Sequence, residues 1–191
     1  VLNTTKVLPL AMGDLKNCTI SSISEFLESD LYIVFGSSYI KGELIDFLIK
    51  KKTINIHMGV SPYYRGTDCN FWALYDNNPH LVGATIHLIS KGLDDGPILF
   101  HALSNFKKDP FEYTMSTVMS AFKAIMKRIE DESIFSIKSS TQDINKEIRF
   151  TKAKDFNEEI VKDFFSKKLN LNSKETQISL FKDPFILPEK F

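Results

Sequence analysis

A chain of 191 residues, 43% hydrophobic and 25% charged, can bury one sizeable core, which excludes a disordered polymer and points to a single globular body. Its 24 basic and 24 acidic side chains cancel, so no bulk field recruits nucleic acid or an anionic membrane surface. No apolar run reaches the roughly 18 residues of a membrane span, no secretory leader opens the chain, and Cys18 and Cys69 lack the paired spacing of a zinc or redox site. The expectation is a cytoplasmic protein with no metal and no catalytic thiol.

In chain order, residues 20–28, ISSISEFLE, carry Ile20, Ile23, Phe26 and Leu27 at helical spacing. The apolar run 31–35, closed by Gly36, predicts a buried parallel strand. Residues 40–50 set Ile40, Leu44, Phe47 and Leu48 on one helical face, and TINIH from Thr53 is a second short strand. Strand, helix and strand in so few residues is a crossover unit. The predicted fold is therefore α/β: a Rossmann-like, mostly parallel sheet flanked by helices. The stretch MGVSPYYRG, with its Ser-Pro and two glycines, reads as a stiff irregular loop, and a short helix begins near Thr67 or Asp68.

GATIHLIS from Gly83 and PILFHALS from Pro97 predict an antiparallel hairpin over residues 83–103, turning through KGLDDG. A long helix over 110–130 starts at Pro110 and buries Tyr113, Val118, Ala121, Ile125 and Ile129. The segment RFTKAKDFNEEIVKDFF predicts a loop and one more helix. The tail from Asn170 holds Ile178, Leu180, Phe181, Phe185, Ile186 and Leu187, enough apolar surface to pack on the body. The expected division is a catalytic domain over 1–150 and a helix with tail over 151–191 that packs on it.

Ligands of parallel α/β sheets sit outside the carboxyl ends of the strands, where Asn55 and His57 fall. Two apart on an extended strand, they point to one side. An Asn amide can donate to a developing oxyanion, a His can carry a proton near neutrality, and Asp94 or Asp95 in the hairpin turn could orient the imidazole. Taken singly, each is as readily a capping or solvated residue. His87 in its strand reads as structural or supporting, His80 and His101 as bland, Phe71 and Trp72 as core. Neither a G-x-G-x-x-G nor a G-x-x-x-x-G-K motif is present.

Together, N-I-H, P-Y-Y-R-G, G-A-T-I-H and G-L-D-D-G-P-I-L, in this order and spacing, resemble the signature of the folate-dependent formyltransferases. That family includes glycinamide ribonucleotide transformylase, methionyl-tRNA formyltransferase and the sugar N-formyltransferases. The resemblance covers Leu31 to Leu103. It implies that Asn55, His57 and Asp94 are the catalytic trio and that 10-formyltetrahydrofolate is the formyl donor. The donor's pocket would be walled by Val34, Ser38, Tyr39, Ile40 and Lys41 on one side and Ile89, Ser90, Lys91 and Gly92 on the other. Protonated His57 and Asn55 would meet the oxyanion, with Asp94 holding the imidazole.

Where many members read H-P-S-L-L-P, this chain has HMGVSP, wording closer to the sugar-modifying branch. The implied partner is a small-molecule amine, a nucleotide-linked amino sugar, contacted by Met58, Gly59, Tyr63, Tyr64, Arg65 and Asn70. No nucleic acid or membrane partner is expected, and a homodimer is left open. The family begins with a further β-α-β unit where only thirty residues precede Leu31, so the catalytic domain reads as N-terminally shortened. A purine-type transferase, a formyltetrahydrofolate hydrolase and an inactive folate- or partner-binding relative stand as alternatives.

Overall fold

The computed structural model describes residues 4–169 and 184–187. Its strands are β1 (Ile33–Phe35), β2 (Ile54–His57), β3 (Tyr64–Gly66), β4 (Ala84–Leu88), β5 (Ile98–Leu103), β6 (Arg149–Thr151) and β7 (Phe185–Ile186). The α-helices are α1 (Gly42–Lys50), α2 (Cys69–Tyr75), α3 (Pro110–Glu130) and α4 (Glu158–Ser166). A five-stranded sheet has the order β1-β2-β4-β5-β7. The β1–β2 and β5–β7 pairs are parallel, while β4 runs antiparallel to both β2 and β5. Four strands thus share one direction and β4 opposes them, which is the mostly parallel α/β sheet and the hairpin that the sequence predicts.

Helix α3 forms where Asp109 caps it, accepting from the Glu112 N–H at 2.8 Å, and where Pro110 occupies the first turn. Of its buried face, Ala121, Ala124 and Ile125 pack on the sheet with Ile54, Ile56, Ile86 and Phe100 of β2, β4 and β5, while Tyr113 joins the cluster of Val60, Trp72 and Leu103. On the other side, α1 buries Leu44, Ile45 and Leu48 against Ile23, Tyr32 and Ile40. Burying a Leu or Ile side chain contributes about 1.5–3 kcal/mol, so these layers carry the sheet.

Three expectations change. Residues 20–28 do not form an α-helix: a 3-10 segment, Ser21–Phe26, breaks at Ile23 (φ −123°). The serines are the reason, because Ser22 and Ser24 hydroxyls bond the carbonyls of Thr19 and Ser21 and compete with helical bonding. Ile23 is buried all the same. Strand β1 is not buried on both faces. It ends the described sheet, and Ile33 and Phe35 remain 41% and 43% exposed, with Phe35 stacked edge-on against Phe122 at 5.1 Å.

The third concerns the loop after His57, which is partly regular. Tyr64–Gly66 pairs in parallel with Arg149–Thr151, a register that only glycine permits at Gly66. Its φ is +93°, and a Cβ there would collide with the Thr151 carbonyl. Arg149 then grips Asp76 through Nε and Nη2 at 2.9 and 2.6 Å beneath the Trp72 ring. Strand β6 straddles the boundary expected at residue 150. Phe164 of α4 enters the core that Tyr64, Trp72 and Leu74 build, and β7 adds to the edge of β5. In the tail, Leu187 is buried and Ile186 is partly exposed, while Ile178, Leu180 and Phe181 lie outside the described residues.

Candidate active site

The strand register sets the site. Val34 of β1 lies opposite Asn55 of β2, and Asn55 opposite His87 of β4, so three side chains from three strands form one row. Asn55 Nδ2 lies 2.9 Å from His87 Nε2, and His87 Nδ1 lies 2.9 Å from the Leu88 carbonyl oxygen. A carbonyl only accepts, so Nδ1 carries the proton, and Nε2 is the acceptor of the Asn55 amide. Burial holds the His87 pKa below the ordinary value, which keeps the ring neutral and this tautomer in place. Asn55 is left with one N–H and its carbonyl oxygen for other partners.

His57, 6% exposed, is held at both nitrogens. Nε2 is 3.1 Å from the Tyr64 carbonyl oxygen and Nδ1 is 3.4 Å from Asp94 Oδ2. Gly59 passes directly behind the ring, where a Cβ would strike both Nε2 and Cys69. Asp94 has φ +53°, a left-handed conformation that Asp tolerates better than most residues, and its Oδ2 also accepts from the Gly66 N–H at 3.3 Å. Oδ1 stands 3.9 Å from His87 Nε2. His57, Asp94, His87 and Asn55 therefore form one cluster.

That cluster forms part of the lining of a cavity of about 430 Å³, within the size range of small-molecule sites. Val34, Ser38, Tyr39, Ile40, Ile89, Ser90 and Gly92, among the positions that the resemblance implies for the donor, line it, and Met58 joins them. The walls are tied to each other: Tyr39 Oη donates to the Lys91 carbonyl at 2.6 Å, and Lys91 Nζ pairs with Asp46 at 2.8 Å. The Lys41 and Lys91 side chains are outside the lining, Lys41 lying over the Tyr39 ring. Sequence reasoning missed Gly36, Ser37, Gly66, Thr67, His87 and Leu93, which also line the cavity. The alternation along β4 held a signal for His87, two residues before Ile89. Nothing local marks Gly66 or Leu93.

The expected amine-side residues go elsewhere. Tyr64 is buried and its hydroxyl bonds Asp76 and Asn78. Arg65 is 8% exposed, with Nη1 on Glu147 Oε2 at 2.8 Å and Nη2 on the Leu93 carbonyl at 2.7 Å. Asn70 joins Thr117 to the Gly83 N–H. The Tyr63 carbonyl accepts from the Ile148 and Arg149 N–H groups, and its ring is half-buried on the core. Of that set only Met58 reaches the cavity, because pairing of β3 with β6 turns the loop inward. In this structure both His57 nitrogens have protein partners, the Tyr64 carbonyl and Asp94, while His57, Asn55 and Asp94 all line the cavity. Burial pushes the Cys69 thiol pKa far up, so it is no nucleophile.

Residues 19–134 match the formyl transferase family. The methionyl-tRNA formyltransferase of Thermotoga neapolitana is 40% identical over 91 residues, which are 46% of this chain and 28% of that protein. That of Thermosynechococcus vestitus is 31% identical over 94 residues, 49% of this chain and 28% of that one. The chain thus spans about a quarter of the length of the curated relatives it matches. Among solved structures, the formyltransferase PseJ from Anoxybacillus kamchatkensis, in complex with UDP-4,6-dideoxy-4-formamido-L-AltNAc and tetrahydrofolate, is 26% identical with a TM-score of 0.53. The match covers 67% of each chain. A sugar N-formyltransferase from Shewanella shares the fold, with a TM-score of 0.57 at 22% identity over 71% of this chain and 54% of that one. With more than half of its length matched by the family and the Asn55, His57 and Asp94 pattern assembled at one cavity, the chain belongs to the folate-dependent formyltransferase family.

Proposed function

We propose that the protein moves a formyl group from 10-formyltetrahydrofolate to the primary amine of a nucleotide-linked amino sugar. The carrying observation is the cavity itself. Asn55, His57, His87 and Asp94 share its lining with apolar Val34, Ile40 and Ile89 and with the small residues Gly36, Ser37, Ser38, Ser90 and Gly92. That mixture suits a flat heterocycle that needs main-chain hydrogen bonds between apolar faces. The sugar is supported by PseJ, which holds a formamido sugar nucleotide with tetrahydrofolate. The donor supplies an electrophilic formyl carbon.

Around that carbon, the free N–H of Asn55 meets the negative charge that develops on the formyl oxygen, a contact worth roughly 10² to 10³ in rate. Asp94 receives the proton that the amine gives up as it bonds to carbon. His57 Nδ1, 3.4 Å from the carboxylate, steadies it, and the proton leaves towards the departing folate nitrogen. Holding two substrates in one cleft supplies much of the remaining acceleration.

The test is a comparison of amines at matched donor. A nucleotide-linked 4-amino sugar should be formylated at least about ten times more efficiently than glycinamide ribonucleotide, a gap of about 1.4 kcal/mol. A preference for glycinamide ribonucleotide, or for the methionyl-tRNA named in the curated relatives, would replace the sugar.

A further inference from the structure

The hairpin turn that bears Asp94 is held from outside the hairpin. The carbonyls of Leu93, Asp94 and Gly96 each meet a side chain from another part of the chain. Arg65 Nη2 donates to the Leu93 carbonyl at 2.7 Å. Gln142 Nε2 donates to the Asp94 carbonyl at 2.9 Å and to the Gly96 carbonyl at 2.7 Å, so both of its protons are used on this one turn. Arg65 is itself immobilised: Nη1 pairs with Glu147, its guanidinium lies over the Phe150 ring at 5.6 Å, and its side chain is 9% exposed. Gln142 and Glu147 both fall beyond residue 134, where the match to the family ends.

Asp94 holds a left-handed backbone, φ +53°, a conformation open to Asp but less favoured than the right-handed one, so the turn needs partners to stay in it. Here they act on both flanks, Leu93 before Asp94 and Gly96 after it. We propose that Gln142 and Arg65 are positioning residues that clamp the 93–96 turn so that Asp94 meets His57 and Gly66. This rests on the formyl-transfer reading in one respect only, that Asp94 acts in catalysis. Arg65 then serves the reaction through the turn and does not touch the amine substrate.

The experiment uses the full chain with Gln142→Met, which keeps length and volume and removes both donors. kcat for formyl transfer should fall by about ten- to a hundredfold, as a misplacement on the ångström scale does. Affinity for 5-formyltetrahydrofolate should stay within about twofold, because the turn's cavity face is otherwise intact. In an Asp94→Ala background the same change should alter kcat by less than about twofold, since a residue that acts through Asp94 has nothing left to position. An unchanged kcat, or an equal fall with and without Asp94, overturns the proposal. Should the parent chain formylate no amine, the formyl-transfer reading fails and the clamp is read by amide exchange: the Gly66 N–H, bonded to Asp94 Oδ2, exchanges faster in Gln142→Met if the clamp is real and at the parent rate if it is not. Should Gln142→Met fail to fold, Arg65→Lys keeps a charge for Glu147 while releasing the Leu93 carbonyl, and the same pairs of outcomes decide.

Discussion

Asn55 and His87 sit opposite each other on antiparallel strands, and the His87 Nε2 atom accepts the Asn55 amide at 2.9 Å. Because Nδ1 of the same ring is committed to the Leu88 carbonyl, this bond has one polarity only, and it decides which way the Asn55 amide faces. His87→Leu removes the acceptor and lets the amide turn over. Formyl transfer should drop by roughly tenfold, while His87→Gln, which retains an acceptor, should keep more activity than Leu. Steady-state rates of the two variants check this, and equal losses would count against an orienting role.

Replacing Asn55, Asp94 or His57 by Ala should each lower kcat/KM by at least about 10²-fold, since each removes a hydrogen bond or charge strengthened in the transition state. The folded state should survive, as judged by circular dichroism. Normal turnover in Asp94→Ala would remove the carboxylate from the proposed chemistry.

A folate analogue should bind whether or not an amine is present. At about 100 times its Kd, 5-formyltetrahydrofolate stabilises the native state by about 2.7 kcal/mol, which raises Tm by roughly 5–10 °C in a chain of this length. Ile89→Asp places a charge in the cavity wall and should abolish the shift. Differential scanning fluorimetry distinguishes these outcomes, and an equal shift in both proteins would put the ligand elsewhere.

His101 provides a pH dependence that is independent of catalysis. It is 3% exposed, Nε2 donates to the Ser61 carbonyl at 2.8 Å, and burial lowers its pKa to about 4. The neutral form is favoured by folding, so the unfolded chain binds the proton more readily. Stability is fully present above the unfolded value near 6.5 and is lost as pH falls through the window from there to about 4. The loss is on the order of 3 kcal/mol. Urea melts at pH 7 and pH 4.5 should differ accordingly, and His101→Gln, which still donates but does not titrate, should narrow the difference.

Much of this was legible in local pattern. β2, the hairpin of β4 and β5, and α3 follow from short-range alternation, a cap and a first-turn proline, all of which involve neighbours in the chain. Strand alternation placed Asn55 and His57 on one face and left Asp94 and Asp95 open as their partner; the choice of Asp94 came from the family resemblance, and the structure brings Asp94 within 3.4 Å of His57. The serine-rich stretch after Thr19 was not legible, since hydroxyl competition for main-chain groups defeats an apolar count.

The sequence by itself determined the class of fold and the residues at the carboxyl end of β2, because these depend on periodicity and on contacts within one crossover or one hairpin, while the expected cavity walls came from the resemblance to the family. Only the tertiary structure decided the roles of Tyr64, Arg65 and Asn70. A tyrosine or arginine beside a catalytic strand looks equally suited to ligand or to core, and pairing of β3 with a strand some 85 residues later turned these inward. The same holds for Gln142, whose partners are carbonyls 46 and 48 residues away. Main-chain acceptors are identical at every position of a sequence, so which of them a side chain will meet is settled only when the chain has closed on itself.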